Sequence, residues 1–207
     1  LLDPWRQKIK RIVDIIAVIL CSPLLLLLVG ILGFLIWRED RGAIFYSQER
    51  IGKGGKSFKI WKFRTMVPNA DKKLAECLAK DPALKAEWEA SQKLRHDPRV
   101  TKIGHFLRRS SLDELPQLWN VLTGEMSLVG PRPIVRNEIE KYGEVFSLYA
   151  KVSPGMTGYW QISGRSSLSY AARLWLDSYY IRNWSIWFDL YIICVTPSAL
   201  LKTKNAC

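Results

Sequence analysis

Histidine is nearly missing from this chain: His96 and His105 are the only two in 207 residues. Imidazole-based metal sites and Ser-His-Asp triads are therefore poorly supplied, and any catalysis must draw on other side chains. The four cysteines stand at 21, 77, 194 and 207 with no short spacing between any two, and Cys21 falls in an apolar run. That pattern fits neither a disulfide framework nor a zinc cluster. It suits a reducing, cytoplasmic face, with all four read as small, buried apolar side chains. There are no internal repeats, no low-complexity tracts and no nucleic-acid-binding module. No secretory signal is apparent, because the apolar run is too long and lacks a small-residue cleavage site. A start at Leu1 rather than Met reads as a piece of a longer protein. Acidic residues are the minority, 19 against 31 Lys plus Arg, for a formal charge of +12. Such a surplus points to nucleic acid, anionic lipid or a phosphorylated substrate. Beside nine Trp and a long apolar segment, lipid and phosphate are favoured.

What is present begins with that segment. Ile15 to Trp37 is 23 residues without a charge, with Ser22-Pro23 near its middle. A spanning helix needs about 20 apolar residues, so length permits one. The flanks argue against it: Arg6, Lys8, Lys10 and Arg11 precede the run, and Arg38 and Arg41 follow it. Lys and Arg prefer the cytoplasmic side, and only a hairpin keeps both clusters there. Pro23 removes a backbone donor and kinks a helix at a cost of about 3 kcal/mol. Ser22 can bond the carbonyl that such a kink frees, as hydrocarbon demands. A span with a tolerated proline is the alternative. Residues 1–41 are thus read as a re-entrant membrane anchor, and 42–207 as a cytoplasmic domain large enough for its own core.

Within that domain, Ile44 to Ile51 and Phe58 to Arg64 predict a hairpin closed by a Gly-rich turn. Gly54-Gly55-Lys56-Ser57 is not a nucleotide P-loop: position 50 is Arg50 where a glycine is required, and a strand follows instead of a helix. Alternation puts Phe58, Ile60, Lys62 and Arg64 on one side of the second strand. Lys62 and Arg64 are either a grip for one phosphate or a solvated edge. Charged residues 69–95 predict two short surface helices around Asp81-Pro82. Residues 168–201 predict aromatic-rich interfacial helices carrying Trp175, Trp184, Trp187, Tyr179, Tyr180 and Tyr191. The fold class is α+β, mainly helical, with a small β-hairpin and a helix-break-helix membrane segment.

Chemistry concentrates between Gly104 and Pro133. Asp113 and Glu114 are adjacent carboxylates after Ser110-Ser111 and before an apolar run. One reading is a capping box from Ser111 to Glu114, stabilising a helix start by about 0.3–1 kcal/mol per carboxylate. Pro116 moves that start toward Asp113. The other reading uses the helix N-terminus, Arg108, Arg109 and the proline-flanked Arg132 to receive a phosphate. Asp113 is then a phosphoryl-accepting nucleophile, and Glu114 a ligand for Mg²⁺.

Five motifs occur here in order: Ser22-Pro23; Lys62-Phe63-Arg64-Thr65-Met66; Asp113-Glu114; Gly130-Pro131-Arg132-Pro133; and Gly158-Tyr159-Trp160-Gln161-Ile162-Ser163-Gly164-Arg165. Together they resemble the bacterial sugar transferases, monotopic polyprenyl-phosphate hexose-1-phosphate transferases, over nearly the whole chain. The charged insert around Asp71 to Arg95 most resembles the undecaprenyl-phosphate galactose phosphotransferases of O-antigen, capsule or exopolysaccharide synthesis. The resemblance implies transfer of hexose-1-phosphate from a UDP-sugar to undecaprenyl phosphate with release of UMP, at the cytoplasmic face of a bacterial inner membrane. It implies Asp113 as nucleophile and Glu114 as the Mg²⁺ ligand. Arg132, with Pro131 and Pro133 around it, and Arg108, Lys62 and Arg64 would neutralise phosphate oxygens, while Gln161 and Arg165 face the nucleotide. Further membrane helices upstream are implied too. One phosphoanhydride is made as another breaks, so no ATP is required. Anionic lipid would attract the basic residues by about 1 kcal/mol apiece. A homodimer and a monomer are both left open.

Two rivals make different predictions. A non-catalytic basic membrane adaptor of polysaccharide machinery would bind lipid or protein without turning over a UDP-sugar. A membrane-tethered nucleic-acid binder would show a steep salt dependence.

Overall fold

The computed structural model describes residues 1–92, 94, 96–164 and 168–202. Its first element, α1 (Pro4–Asp40), is 37 residues long. The Asp3 side chain caps it by accepting from Trp5 N–H at 2.8 Å, with Pro4 at the first turn where its missing donor costs nothing. Arg41, left-handed at φ 54°, ends it. The sequence predicts a break at Ser22-Pro23, whereas the helix runs on across it. The reason is local: the Ser22 hydroxyl donates to Ile19 O at 2.7 Å, the carbonyl that Pro23 leaves without its helical partner.

In the middle of α1 one side faces outward, with Leu20 75% and Leu24 71% exposed, while Leu28 and Val29 are half-buried against the body. Both flanks meet the same protein body. On the N-terminal side Val18 packs with Ile60, Val121 and Met126. On the other, Leu32 and Ile36 pack with Phe63 and Leu107, and the Glu39 carboxylate accepts from Lys102 and Ile103 N–H. Two of the flanking cations are not surface charges at all. Lys10 is buried against Asp189 and Asp14, and Arg11 donates to the Val121 and Leu122 carbonyls. Arg6, Lys8, Arg38 and Arg41 remain exposed.

Next come β1 (Phe45–Ile51) and β2 (Ser57–Phe63), antiparallel, with Phe45 opposite Phe63 and Tyr46 opposite Lys62. Their turn needs Gly54 and Gly55, both at φ near +70°. The surface helices are α2 (Ala70–Lys80) and α3 (Pro82–Ser91), the latter capped by Asp81. Then follow α4 (Lys102–Ser110), a 3-10 turn at Leu112–Glu114 and α5 (Gln117–Thr123). The capping box read at Ser111 and Glu114 is not formed. Ser111 sits left-handed at φ 56° as the cap that ends α4, without a side-chain bond, and α5 starts after Pro116.

A second sheet, absent from the sequence reading, pairs β3 (Ser127–Val129) in parallel with β4 (Gly155–Thr157) across α6 (Ile139–Tyr142) and α7 (Val145–Tyr149). Strands of three residues are too short for periodicity to reveal. The chain continues through α8 (Tyr159–Ile162), α9 (Tyr170–Arg182) and α10 (Ile186–Lys202).

The C-terminal aromatics divide in two. Trp175, Trp187 and Tyr191 point outward, while Tyr180 and Trp184 are buried and donate to Asp189 at 2.7 and 3.0 Å. Asp189 thereby ties α10 to Lys10 and to the start of α1. Three cysteines differ from expectation: Cys21 and Cys194 are exposed and Cys77 half-buried, each with a free thiol, while Cys207 lies outside the described residues. Cys21 lies in the apolar stretch of α1 and Cys194 on α10, so each joins an outward apolar face rather than the core.

Candidate active site

The site is assembled around the turn after α4. Ser111 in the left-handed region reverses the chain, so that Leu112–Glu114 form one 3-10 turn stopped by Pro116. Asn120, fully buried on α5, fastens this turn to the hairpin. Its Nδ2 donates to Lys59 O at 2.8 Å and to Glu125, and its Oδ1 accepts from Trp61 N–H at 3.1 Å. Those bonds grip β2 on either side of Ile60, just before Lys62. Lys62 Nζ donates to Glu114 Oε1 at 2.7 Å and lies 3.8 Å from Asp113 Oδ2.

One cation therefore serves two adjacent carboxylates that differ in environment. Asp113 is largely buried, and burial pushes its carboxyl up to about 6, with Glu114 pushing the same way and Lys62 and Arg108 pulling back. Glu114 is the more open of the two, 35% exposed. A buried carboxylate beside a partly solvated one, in a concave site, is an arrangement typical of catalytic pairs. Ser111 and Glu114 line a pocket of about 290 Å³ that Gln161 reaches from the other side.

The remaining predicted residues separate into groups. Arg108 stays close, its Nε donating to Thr65 Oγ1 at 3.0 Å while its charge acts on Asp113. Gln161, on α8, donates to Met156 O at 2.9 Å, and its Oε1 is buried without a partner. Arg132 stands a third exposed, 3.7 Å from Glu138 and over the Trp160 ring at 5.9 Å. Pro131 is buried, with its carbonyl accepting from Gly155 N–H at 2.8 Å, and Pro133 is half-buried. Arg64 is a correction: its guanidinium pairs with Asp40 at the end of α1 and lies against Gly42, so its charge is spent as a latch on that helix. Arg165 lies outside the described residues.

A profile of the family described as "Bacterial sugar transferase" matches residues 5–203. The chain belongs to that family. Similar proteins include the UDP-galactose-lipid carrier transferase of Erwinia amylovora, 48% identical over 96% of this chain and 41% of that protein. The undecaprenyl-phosphate galactose phosphotransferase of Salmonella typhimurium is 45% identical over 96% of this chain and 41% of its own length. The exopolysaccharide production protein ExoY of Sinorhizobium fredii is 47% identical over 97% of this chain and 87% of its own. The chain thus spans about two-fifths of the first two relatives and most of the third.

The chain also gathers residues that its sequence does not advertise. Arg173, on α9, stacks on Trp160 at 4.7 Å, bringing a second cation to the ring that Arg132 approaches. An arginine in a helix read as interfacial gives no local sign of that destination. Asp177, one turn further on, is buried beneath the Pro-Arg-Pro loop. Burial pushes its carboxyl up to about 7, against hydrogen bonds from the Tyr142 hydroxyl and the Arg132 main chain and the charges of Arg173 and Arg132.

An acid whose folded value is raised favours the fold fully below its unfolded value near 4 and loses that contribution as pH rises through about 7. Asp177→Asn keeps an acceptor for Tyr142 and removes the titration. Thermal unfolding of the variant should therefore vary less between pH 5 and 8 than that of the wild type, and should occur at a higher temperature at pH 8. An unchanged pH dependence would show that Asp177 does not titrate in this range.

Proposed function

We propose that this chain is a phosphoglycosyl transferase that moves a hexose-1-phosphate, galactose-1-phosphate foremost, from a UDP-sugar to undecaprenyl phosphate at the cytoplasmic face of a bacterial inner membrane. The observation that carries this reading is the dyad: a largely buried Asp113 and a more open Glu114 share Lys62, and Glu114 lines a pocket. The names of the Erwinia and Salmonella relatives supply the substrate class and the sugar.

In the first step an oxygen of the Asp113 carboxylate attacks the phosphorus that carries the sugar. A bond from that oxygen to phosphorus forms, the diphosphate bridge breaks, and UMP leaves with the bonding pair. In the second step a phosphate oxygen of the polyprenyl phosphate attacks the same phosphorus. The acyl phosphate bond breaks, the carboxylate returns, and a polyprenyl diphosphate sugar is formed. Lys62 and Arg108 hold positive charge beside Asp113, which phosphoryl transfer needs more than acid-base groups. Arg132 and Arg173 bring two cations to the ring of Trp160, the residue before Gln161.

Glu114 fits a Mg²⁺ site of the kind built on one or two carboxylates plus substrate phosphates: its carboxylate is partly open, and the described residues hold no cluster of three metal-ligating side chains. Bound there, the ion would neutralise charge on the diphosphate. The direct assay is UMP release across a panel of UDP-sugars with undecaprenyl phosphate. UDP-galactose should turn over fastest, and no release from any of them would end the proposal.

The same reading takes α1 as re-entrant. Its support is that Val18 and Leu32, on either side of Pro23, pack against one protein body, while Leu20, Leu24 and Leu27 between them face outward. A helix that crossed the bilayer would carry one of those contacts to the opposite side. In a cysteine-free background, single cysteines placed before residue 12 and after residue 38 should both be labelled from the cytoplasmic side. Labelling of one from the periplasm would establish a span instead.

A further inference from the structure

We infer that the isoprenoid chain of the acceptor lies in an apolar groove between α1 and α5, entered from the catalytic turn. This rests on the transferase reading above. The groove measures about 420 Å³ and is lined almost wholly by carbon, with Val18 and Leu26 of α1 on one wall and Trp61 and Trp119 on the other. At one end are Leu115 and Pro116, the residues directly after Glu114.

Leu115 also lines the pocket that holds Glu114 and Gln161. One side chain therefore stands between the pocket that Glu114 and Gln161 enter and a dry channel suited to hydrocarbon. Lys62 stands beside both: its neighbour Trp61 forms the groove wall, and its own ammonium sits on the dyad. A molecule with a phosphate head and a long apolar tail meets both halves only if the head is at Asp113 and the tail runs past Leu115.

The exposures agree with that occupant. Trp119 is 62% and Leu26 70% exposed, and the latter belongs to the outward side of α1 that the membrane would cover, so the groove opens toward lipid. An acceptor could slide in from the bilayer without leaving hydrocarbon. A water-soluble partner would gain nothing from a channel with so few polar atoms. An ordinary phospholipid tail would fill it equally well, but its phosphate is a diester and lacks the terminal phosphate oxygens that attack at the dyad.

The test uses the whole chain in nanodiscs of phosphatidylglycerol and phosphatidylcholine. Leu26→Trp fills the groove from an exposed position that folding does not need. Leu27→Trp makes the same change one residue away, outside the groove and 62% exposed. Leu26→Trp should raise KM for undecaprenyl phosphate at least tenfold more than it slows UMP release without acceptor, and Leu27→Trp should change neither. Equal effects of the two variants, or a Leu26→Trp variant with unaltered acceptor KM, would overturn the assignment.

A benzophenone-tailed prenyl phosphate supplies a readout independent of turnover. It should crosslink to the peptide containing Trp119, and undecaprenyl phosphate should compete where phosphatidylglycerol does not. Competition by phosphatidylglycerol would identify the groove as a bilayer-lipid site and overturn the proposal. Absent UMP release with intact crosslinking would count against the transferase reading while leaving the groove assigned.

Discussion

Asp113→Asn should abolish UMP release, with a fall of at least about 10³-fold, as expected for loss of a covalent nucleophile. The variant should remain membrane-bound and folded. Asparagine has the same shape and leaves the Lys62–Glu114 contact at 2.7 Å in place. Stability gives the control a direction. Burial raises the Asp113 carboxyl to about 6, so its contribution to stability is complete below pH 4 and lost as pH rises through 6. At pH 7.5 the buried charge is a cost, and the neutral variant should melt no lower than the wild type. Intact-mass measurement completes the test. Wild-type enzyme quenched with UDP-galactose alone should gain one hexose phosphate, and the variant none. Adduct formation or full turnover by Asp113→Asn would assign the nucleophile elsewhere.

Gly155→Ala should be the most damaging single-methyl change in the chain. A Cβ at Gly155 would lie 2.0 Å from Gly130 N and 2.5 Å from Thr157 O, both backbone atoms that no rotamer can move aside. To admit it, β3 and β4 must separate. That loosens Gly155 N–H to Pro131 O at 2.8 Å, Ser127 N–H to Pro154 O at 2.8 Å and Gly130 N–H to Thr157 O at 2.9 Å. Overpacking alone costs about 1–3 kcal/mol, and each buried hydrogen bond left open adds about as much. A loss of roughly 4 kcal/mol or more is expected, a large part of the stability a domain has. The measurement is the urea midpoint in detergent. A midpoint within about 1 kcal/mol of wild type would mean the two strands are not locked at this crossing. Surviving protein should also lose activity, because Gly130 begins the loop that holds Arg132.

The elements that could be read from the chain are those whose signals are local. A run of 23 uncharged residues, a Gly-Gly turn between apolar strands and an Asp-Pro break between amphipathic segments each lie within a window of a few turns. Ser22 as the donor to the carbonyl freed by Pro23 belongs here too, since its partner Ile19 is three residues away. Even so, the interruption expected at that proline did not appear, because one hydroxyl was enough to keep the helix whole. The parallel β3–β4 pair escaped because three-residue strands hold no period, and their partners are 28 residues apart.

The site was half visible. Asp113 and Glu114 stand out as neighbours, and Lys62 as a cation following Phe58 and Ile60 on one strand face. Arg64 shares that face, and spacing cannot tell the two apart. The fold does, because the end of α1 brings Asp40 to Arg64 while the 3-10 turn brings both carboxylates to Lys62. Lys10 and Arg11 show the same limit. A basic flank looks like a membrane-surface charge until the body of the protein supplies Asp189 and two helix-end carbonyls to receive it. Arg173 and Asp177 gave no sign at all.

The chain's own order of residues was enough to determine an apolar segment flanked by cations, the hairpin and the pair of carboxylates, since run length, turn chemistry and adjacency are written within a few neighbouring positions. Tertiary structure alone decided which cation faces which anion, how deeply Asp113 is buried, and that Leu115 stands between the pocket of Glu114 and the apolar groove on α1. Those depend on contacts between residues 24 to 179 positions apart, and an ion pair or a desolvated carboxyl exists only once folding has closed that distance.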